Sequence, residues 1–173
     1  NDKYLYKLSH PMKTYSKFVL ECSQLKESSL SRIKSKSDKG GMAVLSATRS
    51  EKSAKENKER NKQLDKDIRG RGLPGPTKTK GKWEGGSERS HVVSSGKKGK
   101  RKFKKDIKKL GKKYDQDAVI VQSKKSATLS ATRKGGLGSD KRKGIGKFKP
   151  QGKSPEGVTQ IKGKTFTYEK DDD

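Results

Sequence analysis

The chain has 173 residues, of which 25% are hydrophobic, and its 46 Lys and Arg against 20 Asp and Glu leave a net charge of +26. Composition this polar supplies one small core at most, and no apolar run approaches the ~20 residues that a helical membrane span requires. The charge far exceeds what solubility needs and points to polyanionic partners, foremost double-stranded DNA.

Residues 1–11 read as an upstream extension, and the chain of interest opens at Met12. In Met12–Glu21, MKTYSKFVLE, the residues Tyr15, Phe18, Val19 and Cys22 follow i, i+3, i+4, i+7 spacing, so a short helix would have one greasy face. Lys17 and Glu21 break the apolar run that a secretory signal needs. This decapeptide resembles the capsid targeting sequence of the internal head proteins of T-even-type tailed phages. The resemblance implies docking on a prohead scaffold and removal by the prohead protease, which cuts after a Glu preceded two residues earlier by Ile or Leu. Glu21 has the expected register, and Glu27, within Leu25-Lys26-Glu27, has the expected pattern. A removable leader thus covers 12–27, and a linker covers 28–40.

Residues 41–123 carry the periodic segments. Gly40-Gly41 precedes a predicted strand over Met42–Ala47, and Arg49–Arg69, free of Gly and Pro, predicts a helix. Ser53 and Glu56 stand at capping-box spacing. Gly70 and Gly72 end that helix, Pro74-Gly75-Pro76 turns the chain, and Thr77–Glu84 and Ser90–Ser95 read as a hairpin around Gly85-Gly86. A second helix is predicted over Lys100–Tyr114, where Phe103, Ile107, Leu110 and Tyr114 recur at helical spacing, followed by a buried strand over Asp117–Gln122. Strand, helix, hairpin, helix, strand is the order of an α+β fold, a small split βαβ or ferredoxin-like sandwich with disordered basic tails. This order, with the pattern from Ser46-Ala-Thr-Arg49 through Glu56-Asn57 to Asn61, resembles a small bacterial and phage domain of unknown function.

Beyond Gln122 the chain turns rich in Lys, Gly and Ser, and residues 124–173 read as a flexible basic arm. Neither Gly135-Gly136-Leu137-Gly138 nor Gly144-Ile145-Gly146 has phosphate-loop spacing. Ile161–Tyr168 alternates well enough to add a late strand, and Asp171–Asp173 would fray. Leu45–Arg49 recurs as Leu129–Arg133, with nothing similar around either copy.

One cysteine, Cys22, excludes an internal disulfide framework, and His10 and His91 lack partners at ligand spacing, so neither metal nor cofactor is expected. Phosphate contacts are assigned to Lys97, Lys98, Lys100, Arg101, Lys102, Lys104, Lys105, Lys108, Lys109, Lys112 and Lys113, which share a short segment with the single acid Asp106. Arg49, Asn57, Asn61 and His91 form the one candidate pocket. Read with its leader, the chain resembles a head-interior protein packaged with DNA and injected into the host cytoplasm, where it meets an unidentified host target. The alternatives are a non-virion nucleic-acid-binding protein and a small enzyme acting on nucleotides or nucleic acid. No Ser-His-Asp order, nor the Glu-x-Glu pair of ADP-ribosyltransferases, supports the enzyme directly.

Overall fold

A strand with four successive apolar residues needs cover on both faces, and β1 (Met42–Ser46) has it: all five residues, Ser46 included, are buried. The computed structural model describes residues 32–36, 38–39, 41–83, 86–150, 158–161 and 164–169. The extension 1–11 and the leader 12–27, with Cys22, Glu21 and Glu27, lie outside them. After β1 come α1 (Ala54–Gly70), β2 (Thr77–Trp83), β3 (Gly86–Ser94), α2 (Lys100–Lys113) and β4 (Ala118–Gln122). Their lateral order is β4-β1-β3-β2, every neighbouring pair antiparallel, which is the split βαβ arrangement expected of an α+β fold.

α1 begins later than its composition suggests because Ser53 caps it. The Ser53 hydroxyl accepts from the Glu56 amide at 3.2 Å, and the Glu56 carboxylate accepts from the Ser53 amide at 2.9 Å, so the chain from Arg49 to Lys52 stays outside the helix. Leu64 and Ile68 of α1 and Phe103, Ile107 and Leu110 of α2 pack on Ala43, Leu45, Val93 and Val119, forming an apolar layer on the outer face of the sheet. Gly111 lets α2 approach closely: a Cβ there would stand 2.6 Å from Val119 and 2.7 Å from Thr132.

The expectation of a flexible arm after Gln122 is corrected. Residues 124–173 hold β5 (Ala127–Ala131), β6 (Gly136–Ser139), β7 (Arg142–Pro150), β8 (Val158–Ile161) and β9 (Lys164–Glu169). Four of these join the sheet, which closes as the barrel β1-β3-β2-β8-β9-β7-β5-β4. β5 pairs with β4 and β8 with β2, so the arm covers both edges that a four-stranded sheet would expose. It also turns the open face of a two-layer sandwich into an interior. There Met42, Val44, Val92 and Phe166 cluster with Ile120, Phe148 and Tyr168. The stretch read as a linker contributes as well, since residues 32–36 are helical and Ile33 is buried in this interior cluster.

Candidate active site

The polar residues singled out in the sequence fall at the junction of β1 and α1. Asn57 donates from Nδ2 to the carbonyls of Arg49 (2.9 Å) and Lys52 (3.0 Å), and its Oδ1 accepts from the Arg49 amide at 2.9 Å. Asn61 donates to Thr48 Oγ1 at 3.1 Å and to the Asn57 carbonyl at 2.7 Å. The Arg49 guanidinium reaches Glu51 Oε1 at 2.8 Å and the Asp115 carbonyl at 2.6 Å. Arg60, which the sequence reading passed over, ties the same corner to the Ala47 and Tyr114 carbonyls at 2.9 and 2.8 Å. Arg49, Asn57 and Asn61 therefore meet, but they spend their donors on backbone carbonyls and on the side chains of Thr48 and Glu51.

His91 engages α1 elsewhere. It is fully buried, and its Nε2 lies 3.0 Å from Asp65 Oδ1, although neither atom is aligned for a hydrogen bond. Asp65 also pairs with Lys78 at 2.8 Å. Burial holds the imidazole below its ordinary value, against the raising pull of Asp65, and Lys78 and Arg89 push the same way as burial. The predicted basic segment is indeed a helix, with Phe103, Ile107 and Leu110 buried and lysines on its remaining faces.

A second polar cluster lies inside the barrel, and composition gave no warning of it. The pairing Ser46↔Ser90↔Thr79 puts three buried hydroxyls on one inward row. The next row runs Glu88↔Gly81↔Thr159↔Phe166 across β3, β2, β8 and β9. Glu88 is partly exposed on this inward face, and loss of hydration pushes its carboxyl above the ordinary range despite interactions with Ser46 and Ser90 that act the other way. Gly81 stands directly opposite, where a side chain would crowd the row: a Cβ there would sit 2.9 Å from Ser90 Oγ and 3.6 Å from Glu88 Cγ.

Farther along the interior, Phe148, Phe166 and Tyr168 form an aromatic group with ring centroids 4.8 to 6.2 Å apart. The Tyr168 hydroxyl and Gln122 Oε1 are buried without hydrogen-bond partners, and burial raises the Tyr168 phenol well above its ordinary value. An interior that holds a desolvated carboxylate, an aromatic group and orphaned polar atoms suits an organic cation with hydrogen-bonding groups. The one sequence signal was β3 itself, where Glu88 alternates with Ser90, Val92 and Ser94 as the lone acid on an otherwise small or apolar face. Among the described residues no group of three His, Cys, Asp or Glu is placed to hold a metal ion, and no helix is long and apolar enough to cross a membrane.

No curated protein matches the chain. A family model described as the S-Adenosylmethionine lyase family matches residues 43–172, spanning the split βαβ unit and the strands that close the barrel. That match overturns the reading of the chain as a DNA-binding internal head protein, whose warrants were a short leader and a net charge. It favours the enzyme alternative, and it places the Lys-rich strands within a domain where composition had suggested only a charged tail. The chain belongs to the S-adenosylmethionine lyase family.

Proposed function

We propose that the chain is a lyase that breaks a carbon–sulfur bond of S-adenosylmethionine, with the barrel interior at Glu88 as its site. The family match supports the reaction class, and the location rests on one observation: a carboxylate with a raised pKa lies on the inward face of the barrel, directly across from Gly81, which brings no side chain to that row.

The substrate is a sulfonium cation attached to an amino acid and a nucleoside. Glu88, ionised by the arriving cation, offsets its charge in a medium where Coulomb attraction is far stronger than in water. The aromatic rings of Phe148, Phe166 and Tyr168 supply faces for the same cation. Ser46, Ser90 and Thr79, with the free Gln122 Oε1 and Tyr168 hydroxyl, offer contacts for the substrate's polar groups.

Bond cleavage then balances without water or an external reagent. Sulfur takes the electron pair of the breaking bond and leaves as a neutral thioether. The carbon it leaves is satisfied either by the amino acid's own carboxylate, which closes a ring, or by loss of an adjacent proton to a base, a role open to Glu88. A closed site favours both routes over hydrolysis.

The test is to incubate the purified chain with S-adenosylmethionine and separate the products by liquid chromatography and mass spectrometry. A nucleoside thioether should accumulate with an amino-acid-derived fragment that carries no oxygen from labelled water. Absence of thioether, or the labelled oxygen in the fragment at the first turnover, would end the lyase reading.

A further inference from the structure

α2 buries one stripe against the barrel and leaves a charged flank beside β5 and β7. At the ends of this region the cations are neutralised, Lys98 by Asp106 at 2.5 Å and Lys113 by Asp67 at 2.6 Å. Between them the pattern changes. Arg101, Lys104, Lys105, Lys108 and Lys109 of α2 line an open, shallow groove of about 490 Å³ together with Arg142 of β7, and Ala131 and Thr132 help form its wall. Among the described residues none of these six cations forms an ion pair.

Folding alone gives no reason for this crowding. Lys104 is held below the usual lysine range by partial burial and by the nearby charges of Arg142 and Lys108. The first turn of α2 holds no acid and carries Lys100, Arg101 and Lys102, the sign that a helix N-terminus disfavours. Cations contributed by two elements converge on one concavity of small-molecule size. A helix lysine face made only for solubility would be convex and mixed in sign.

We propose that this groove binds a linear oligophosphate, a triphosphate chain in particular, whose several negative charges on a short span match cations converging from two sides. Such a chain is available as inorganic tripolyphosphate or as the tail of a nucleoside triphosphate, and the shared recognition element is the phosphate chain. An extended duplex is the poorer fit, because its phosphates lie along a ridge and would meet the α2 cations without entering the groove. The site is separate from Glu88, and its test does not depend on lyase activity.

The experiment is calorimetric titration of the full chain with inorganic tripolyphosphate at low ionic strength, in parallel with ATP. One-to-one binding is expected, weakening as salt rises. Lys104→Gln with Lys108→Gln should lower affinity by about tenfold or more, whereas Lys124→Gln with Lys125→Gln, at an exposed turn, should not change it. The groove variant should also melt no lower than the parent without ligand, since it relieves repulsion, and should gain less thermal protection from tripolyphosphate. If it misfolds, Arg142→Gln repeats the test from the other wall. Equal affinity for ATP assigns recognition to the phosphates alone, and markedly tighter ATP binding assigns it to a nucleotide. Absence of one-to-one binding, equal losses in both double variants, or a DNA duplex that binds without competition from tripolyphosphate would overturn the proposal.

Discussion

Two polar clusters sit on opposite sides of the β1–β3 wall, and they differ in what they do with their hydrogen bonds. Outside, Asn57 and Asn61 satisfy backbone at the β1–α1 corner, with Arg60 pinning the same corner to Ala47 and Tyr114. Inside, Glu88 is desolvated with hydroxyls as its named partners, and Tyr168 and Gln122 keep orphaned atoms. The outer cluster repays most of its burial within the fold, although Asn61 Oδ1 lacks a partner, whereas the inner one leaves a desolvated carboxylate and two orphaned oxygens that a guest would satisfy. Polar residues legible by pattern are thus structural here, and those that look badly placed are the better functional candidates.

Glu88→Gln should have the largest effect. It keeps shape and removes charge, so turnover of S-adenosylmethionine should fall by about a hundredfold or more, the scale of a lost electrostatic or acid–base partner. The melting temperature should hold or rise, because a carboxyl with a raised folded-state pKa destabilises the fold increasingly as pH climbs from its ordinary value through the raised one. In the parent, substrate affinity should strengthen over that same rise in pH, and the variant should show a flat profile. Full activity in Glu88→Gln would move the site elsewhere.

Asn57→Ala reverses the pattern. Losing an amide that makes three backbone hydrogen bonds should cost about 1–3 kcal/mol of stability, read by denaturant melts, with kcat per folded molecule unchanged. A stable but inactive Asn57→Ala would return the outer cluster to candidacy.

How much of this was visible beforehand follows from where the periodicity lies. The split βαβ order was legible because Phe103, Ile107, Leu110 and Tyr114 keep helical spacing and because Met42–Ser46 and Ala118–Gln122 are apolar runs. Of the closing strands only β9 was legible, in the alternation of Ile161–Tyr168, and the others were hidden by composition: β7 reads Arg-Lys-Gly-Ile-Gly-Lys-Phe-Lys-Pro, and a barrel wall needs only occasional large inward residues such as Phe148. A lysine-rich segment can be a strand when its partners supply the pairing and a shared interior. The site was hidden for the same reason. Glu88 looks like any surface acid until β8 and β9 close over that face, so its partial burial is a property of topology, and no local motif announces it.

Gly81→Ala sharpens the comparison from the inner side with a smaller expected effect. The new methyl would press on Ser90 Oγ, which can rotate away, and would add a contact against the Glu88 side chain. KM should rise by about three- to tenfold with kcat less affected, corresponding to roughly 1 kcal/mol of lost uniform binding. An unchanged KM would mean that substrate does not depend on the packing between Gly81, Ser90 and Glu88.

The mildest prediction concerns His91, which borders the outer cluster and is also imperfectly satisfied. Burial holds its pKa below the ordinary 6.5, so the unfolded chain binds a proton that the folded chain refuses as pH falls beneath that value. Stability should therefore be independent of this group at higher pH and decline from about 6.5 downward, by at most ~1.4 kcal/mol per pH unit, until the folded-state value is reached. Asp65 opposes the shift, and Lys78 and Arg89 reinforce it, so Lys78→Gln should shrink the effect by raising the folded-state pKa. His91→Gln should remove this part of the acid sensitivity while leaving the pH profile of substrate binding, assigned to Glu88, where it was. If both profiles moved together, the two sides of the wall would be coupled, and the division between a structural outer cluster and a functional inner one would fail.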